Sequence, residues 1–218
     1  MEETTKKPRK KSIKRAYSPS ELMRIKRPGM DFTGEWKEAF GCPASTGLWC
    51  IWGNSANGKS SFVMQLAKYL CRFGKVFYNS VEEGKEASFI NNIARNNMQE
   101  VDGRFRTATL SMEELDERMS DPRKEDIYII DSFQAAGYTV KGATGFRPLV
   151  ERHPDKLIIF VSRADGSKPQ GKPAITCLYD AGMKIFVECF RAKCMGRFNP
   201  DGASFVIWEE GAAKYGEQ

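Results

Sequence analysis

The 218-residue chain has one histidine, His153, and no two cysteines spaced C-x-x-C. Its six cysteines stand apart at positions 42, 50, 71, 177, 189 and 194. Without clustered thiols or imidazoles, a structural zinc site is not expected. Cys50, Cys71 and Cys189 lie inside apolar runs and read as small buried hydrophobes. No apolar run reaches the roughly 20 residues that a membrane span needs. The opening "MEETTKKPRKKSIKRAY" has no apolar segment of the kind a secretory signal requires, so a cytoplasmic setting with reduced thiols is expected. Acids are missing from residues 6–15, where seven Lys or Arg stand together. That run reads either as a solvated tail or as a flexible arm drawn to nucleic-acid phosphates. It carries much of the net charge of +6. The rest is near neutral, which excludes a histone-like basic body.

The length suits one well-cored domain. Residues 1–18 are expected to be a disordered basic tail. Residues 19–46 form a mixed lead-in, in which Ser18 or Ser20 is expected to cap a short helix through Arg27, broken by Pro28-Gly29. Residues 47–212 alternate short apolar runs with helical patterns. "GLWCIW", "KVFYNSV", "FRTATL", "DIYIID", "KLIIFVS", "MKIFVECF" and "ASFVIWE" read as strands. Lys59 to Phe73, "EGKEASFINNIARNN", "SMEELDERMS" and Thr144 to Arg152 read as helices. Residues 163–173, "RADGSKPQGKP", are too rich in Gly, Pro and Lys for regular structure to be expected. The last two strands are expected to pair through the turn "NPDG". This alternation predicts an α/β fold with a mostly parallel central sheet, flanked by helices and closed by an antiparallel edge hairpin.

One stretch carries chemistry. Gly53-Asn54-Ser55-Ala56-Asn57-Gly58-Lys59-Ser60, followed by Ser61, fits G-x-x-x-x-G-K-[ST] without a mismatch. An apolar strand precedes it and an amphipathic helix follows. In such a loop, backbone N–H groups turn toward phosphate oxygens, and the helix N-terminus adds a positive dipole end. Lys59 would reach the β- and γ-phosphates of ATP, and the Ser60 hydroxyl would ligate Mg²⁺. "IYIID" drives an apolar strand to an acid, Asp131, at the end where open α/β sheets bind ligands. That carboxylate can hold the Mg²⁺ shell. "VFYNSV" ends beside Glu82-Glu83. Glu82 is the candidate general base for a water attacking the γ-phosphate, whereas Glu83 equally suits the start of the next helix.

Taken together, the P-loop, "VFYNSVEEG", "IYIIDSFQA" and the Gly/Lys-rich loop after "FVS" resemble the RecA-like ATPase core, in particular its RadA branch, with DnaB-type helicases as cousins. The resemblance covers about residues 30–210. It aligns Glu82 with the family's catalytic glutamate and Asp131 with its Walker B aspartate. It implies a homo-oligomer, a ring or a filament, in which the loop after "FVS" touches single-stranded DNA; here that means Arg163, Lys168 and Lys172. It also implies a cation supplied from one subunit to its neighbour's γ-phosphate, for which Lys193 and Arg197 are the candidates, although the family spacing is a tighter Lys-x-Arg. "WKEA", Trp36 to Ala39, stands where such filaments carry an aromatic-x-x-Ala pin, or is a packed lead-in. Core-only chains of this size resemble the single-strand annealing proteins of phages and mobile elements.

The leading expectation is thus an ATP-hydrolysing DNA-binding protein of recombination or single-strand annealing. The alternatives are a DnaB-like replication motor or loader and an oligomeric signalling ATPase that works without DNA. A small-molecule kinase would need a lid with several arginines, which residues 163–173 do not supply.

Overall fold

The computed structural model describes residues 15–24, 29–195 and 202–215. Most of the basic run, residues 25–28 and Arg197 lie outside them. Nine strands are described: β1 Gly47–Gly53, β2 Val76–Ser80, β3 Phe105–Ala108, β4 Ile127–Asp131, β5 Leu157–Asp165, β6 Lys168–Pro169, β7 Met183–Glu188, β8 Arg191–Cys194 and β9 Ser204–Val206. The helices are α1 Pro19–Arg24, α2 Glu35–Phe40, α3 Lys59–Leu70, α4 Ala87–Arg95, α5 Met112–Ser120, α6 Phe146–Arg152, α7 Lys172–Asp180 and α8 Glu209–Ala213.

The sheet runs β3-β2-β4-β5-β1-β7-β8-β9, with β6 beside β5. From β3 to β7 every neighbouring pair is parallel, and β7-β8-β9 is antiparallel. The apolar strands of the parallel part follow from their having both faces covered. Trp49 and Ile51 of β1 and Ile127 and Ile129 of β4 pack toward Phe62, Leu66 and Leu70 of α3. Cys50 and Trp52 of β1 and Tyr128 and Ile130 of β4 pack on the other side with Leu115 of α5, Phe146 of α6 and Cys177 of α7. Strand period sends alternate residues to opposite helical layers. Helix α5 starts on the expected serine: Ser111 Oγ accepts from the Glu114 N–H, and the Glu114 carboxylate accepts from the Ser111 N–H.

Part of the lead-in belongs to this core. Met30, Phe32, Ala39 and Phe40 are buried in the α3-side cluster. Trp36 stacks on Tyr69 with centroids 4.6 Å apart and lies 4.2 Å from the Phe205 ring. "WKEA" is therefore a packed lead-in, engaged with its own chain.

Three expectations need correction. Residues 163–173 are largely regular. β5 continues through Asp165 and pairs with β6 across the two-residue turn Gly166-Ser167, a glycine-first hairpin turn, and Lys172 already begins α7. The antiparallel edge has three strands, because Arg191–Cys194, not among the expected strands, forms β8. Most of "NPDG" lies outside the described residues, and β7 meets β8 through a tight Cys189-Phe190 turn. Cys189 is therefore half-buried in a turn with φ 49°, rather than inside a strand. No helix of the described residues is long and apolar enough to cross a membrane.

Candidate active site

The C-terminal ends of β1, β2, β4 and β5 surround one cavity of about 500 Å³. Its walls carry Lys59, Ser60, Glu82, Asp131, Arg163 and Phe190. Asn54, Ser55, Ala56, Gly58, Ser61, Ser80 and Glu83 complete it. The structure thus gathers most of the expected loop with both expected acids. Gly53 and Asn57 stand behind the wall.

The loop's shape follows from its residues. Gly53 ends β1 so close to β7 that a Cβ there would sit 2.3 Å from the Val187 carbonyl oxygen. Gly58 has φ 88°, and a Cβ there would meet the Phe190 ring at 2.8 Å. Lys59 and Ser60 then open α3, so backbone N–H groups of the first turn face the cavity. Asn92 of α4 donates to the Ser60 carbonyl at 3.0 Å and braces that turn.

Asn57 has an unexpected task. Its side-chain oxygen accepts from the Cys189 N–H at 2.8 Å, and its own carbonyl accepts from the Phe190 N–H at 3.2 Å. Its amide donates to the Ser55 carbonyl at 2.9 Å. One residue thereby joins the loop to the β7–β8 turn. Phe190, with φ 56°, holds its ring over Gly58 and edge-on to Trp208. A phenylalanine in a left-handed turn position is strained, and no sequence signal pointed to it.

Asp131 ends β4 in register with Ser80 of β2. The Tyr78 hydroxyl donates to Asp131 Oδ2 at 2.6 Å. Burial raises the Asp131 pKa above its ordinary value, and Glu82 and Glu83 add to the rise; Tyr78 and Lys59 oppose it. Burial, reinforced by that same carboxylate, pushes the Tyr78 hydroxyl well up. Tyr78 is therefore a donor that holds one oxygen of Asp131, whose residue lines the cavity. Nothing in "VFYNS" marked it, because a tyrosine at that position reads as core.

Glu82 follows β2, where the N–H groups of Val81 and Glu82 both donate to the Asp131 carbonyl, at 2.7 and 3.3 Å. Its carboxylate accepts from Ser132 and from Arg163 Nη2. Partial burial works against the charge. The Ser132 and Arg163 hydrogen bonds, and the Arg163 and Lys59 charges, outweigh it and hold Glu82 below the usual glutamate range. Glu83, also in the cavity wall, accepts from Ser88 at 3.1 Å, in the first turn of the next helix.

The remaining candidates separate. Arg163 stands in the cavity wall, paired with Glu82. Lys168 and Lys172 are exposed along the β5–β6 hairpin and the start of α7. The hairpin is braced from below: Trp52 Nε1 donates to the Ser167 carbonyl at 3.0 Å, and Gln134 Nε2 donates to Ser162 Oγ and the Gln170 carbonyl at 2.8 and 2.9 Å. Lys193 is exposed on β8, outside the cavity wall. Arg197 lies outside the described residues.

The donor set suits Mg²⁺. Ser60 and Asp131 bring a hydroxyl and a carboxylate to the same wall. Among the described residues no cluster of three or more His, Cys, Asp or Glu could hold a metal by itself. A hard cation sharing its shell with phosphates and water needs only one or two such ligands.

No protein-family model matches the sequence, and no curated protein does. Solved structures do match. The flagellar accessory protein FlaH of Methanocaldococcus jannaschii aligns over 82% of this chain and 91% of its own, with 18% identity and a TM-score of 0.56. A second solved structure, that of an ATPase domain, aligns over 77% of this chain and 84% of its own, with 13% identity and a TM-score of 0.51. The fold is that of RecA-like P-loop ATPases.

Proposed function

We propose that this chain binds and hydrolyses ATP with Mg²⁺ as a cytoplasmic, oligomeric RecA-like ATPase that acts on single-stranded DNA in recombination or annealing. The carrying observation is the convergence of Lys59, Ser60, Glu82 and Asp131 on one cavity. In this reading residues 53–61 cradle the phosphates, and Lys59 neutralises the β- and γ-phosphate charge. Ser60 and Asp131 hold the Mg²⁺, which when bound screens charge on the transferring phosphoryl group. Glu82 orients a water and takes its proton as the water oxygen bonds to the γ-phosphorus. The bond to the β–γ bridging oxygen breaks, and ADP and phosphate leave.

Arg163 stands beside Glu82, on the side where the γ-phosphate would lie. Its role is to restrain the glutamate until a triphosphate competes for the guanidinium. Lys193, exposed on β8, is the candidate to reach a neighbouring subunit's nucleotide; Arg197 shares that proposal from sequence alone. Lys168 and Lys172 present two charges from a braced hairpin to a DNA backbone.

The test is the steady-state ATPase rate with and without single-stranded DNA, at two salt concentrations. Stimulation that fades steeply with salt is expected, since phosphate contacts release counterions. A rate indifferent to DNA would favour the second reading, a DNA-independent oligomeric ATPase, which the likeness to a flagellar accessory protein supports. Strand displacement without annealing would favour a DnaB-like motor.

A further inference from the structure

The opposite end of the sheet carries a second charged concavity. β2, β3 and β4 run parallel, so the residues that precede them share one rim. Lys75 precedes β2, Arg104 precedes β3, and Arg123 and Lys124 precede β4. With Arg106 of β3 and Arg118 of α5 they line a cavity of about 210 Å³. Glu82 and Asp131 stand at the other ends of β2 and β4, so this rim is remote from the candidate ATP cleft.

The rim is short of counter-charge. Its lining holds six cations and one acid, Glu125. That acid is engaged: Arg118 Nε and Nη2 donate to its two oxygens at 2.9 and 2.7 Å. Asp121 beside it accepts from the Arg123 guanidinium at 3.0 Å, and Asp126 accepts from the Lys75 N–H at 3.0 Å. Arg104 donates to the Cys71 carbonyl, and Arg106 to the carbonyls of Asp102 and Phe105. Among the described residues Arg104, Arg106, Lys75 and Lys124 enter no ion pair with a carboxylate. A concavity lined by one sign of charge focuses its field and gathers counter-ions.

We propose that this rim is a phosphate-binding surface for a nucleic-acid backbone, separate from the ATP cleft and from the β5–β6 hairpin. Four of the six cations are arginines, whose planar forks match phosphate oxygens two at a time. The only non-ionic residue in the lining is Gly103. A protein partner would be anchored by apolar or aromatic side chains at the centre of its interface, and this surface offers none. Contacts to a phosphodiester chain need charge and hydrogen-bond donors alone. The arginines' bonds to backbone carbonyls pre-set their direction, which reduces the entropy lost on binding. The inference does not depend on ATP hydrolysis.

The test uses the full chain and a fluorescent single-stranded DNA of about 30 nucleotides, several times the footprint of one binding module, with anisotropy titrations at several salt concentrations. Arg106→Glu/Lys124→Glu reverses two exposed charges; Lys141→Glu, an exposed lysine elsewhere, is the control. The rim variant is expected to weaken binding on the order of tenfold and to lower the log–log salt slope by about 1.4, the share of two contacts on a single strand. Thermal unfolding checks that the variant is folded. The neutral pair Arg106→Gln/Lys124→Gln, which introduces no new acid, is expected to shift binding in the same direction by less. A rim variant that binds DNA no worse than the control overturns the proposal. So does one that keeps its DNA affinity while losing affinity for a labelled polyglutamate peptide, which would assign the rim to an acidic protein segment.

Discussion

Arg163 and Glu82 pair across the ends of two strands, and in the proposed chemistry that pairing governs when the carboxylate can act as a base. Burial favours the neutral acid, but Ser132, Arg163 and Lys59 together hold the Glu82 pKa below its ordinary 4.5. A base with a depressed pKa is already deprotonated at neutral pH and loses activity only as pH falls through that lowered value. The acid limb of kcat/KM is therefore expected below the ordinary glutamate range. Arg163→Ala removes one lowering hydrogen bond and one lowering charge, so its acid limb should move to higher pH. A pH–rate profile of both proteins measures this, and coincident limbs would contradict it. Glu82 and Asp131 stood out in the sequence because Asp131 closes an apolar strand and Glu82 lies just after another, where the chain must leave the core. The partners of both were not. Arg163 reaches Glu82, and Tyr78 reaches Asp131, only because β2, β4 and β5 are neighbours, and strand order is a property of the whole sheet. Asn57 was legible as a loop residue, yet its grip on the Cys189-Phe190 turn depends on a strand far along the chain.

Among the elements, helices α3 to α6 and the four apolar parallel strands β1, β2, β4 and β5 that surround the cleft follow from local periodicity, and their packing confirms the period-two division between the two helical layers. Local composition was a poor guide in two places. "RADGSKPQGKP" holds two prolines and two glycines, which suggested irregular chain, but its Gly-Ser pair makes a tight turn, and Trp52 and Gln134 supply the bonds that keep the hairpin in place. "RAKC" was not among the expected strands, yet only its alternate residues are charged: Ala192 and Cys194 face the core while Arg191 and Lys193 do not, the pattern of a half-buried strand. The lead-in helix α2 is short, and its place is fixed by aromatic packing rather than helix propensity. Trp36 lies between Tyr69 of α3 and Phe205 of β9, so it joins the P-loop helix to the far edge of the sheet. Trp36→Ala is expected to lower stability by about 3 kcal/mol through lost transfer and a residual cavity. Chemical denaturation checks this. A loss below about 1 kcal/mol would show that α2 is not part of the cooperative core.

For the molecule as a whole, each end of the sheet carries one of the two proposed sites. The C-terminal ends of its strands hold the candidate ATP cleft, as open α/β sheets do. The ends that precede β2, β3 and β4 hold the arginine-rich rim. The first is legible in the sequence because a phosphate loop is contiguous. The second is not, because its six cations come from four separate segments that only the parallel pairing brings together. In the proposed chemistry Lys59, Glu82 and Asp131 form one hydrolytic site. ATP binding and single-turnover hydrolysis, measured in the wild-type chain, Lys59→Ala and Glu82→Gln, probe that site with the fewest intervening steps. Lys59→Ala is expected to lose hydrolysis. Glu82→Gln is expected still to bind ATP but to hydrolyse it at least about a hundredfold more slowly, the share of a general base. Hydrolysis at the wild-type rate in either variant would contradict a single hydrolytic site built from these residues.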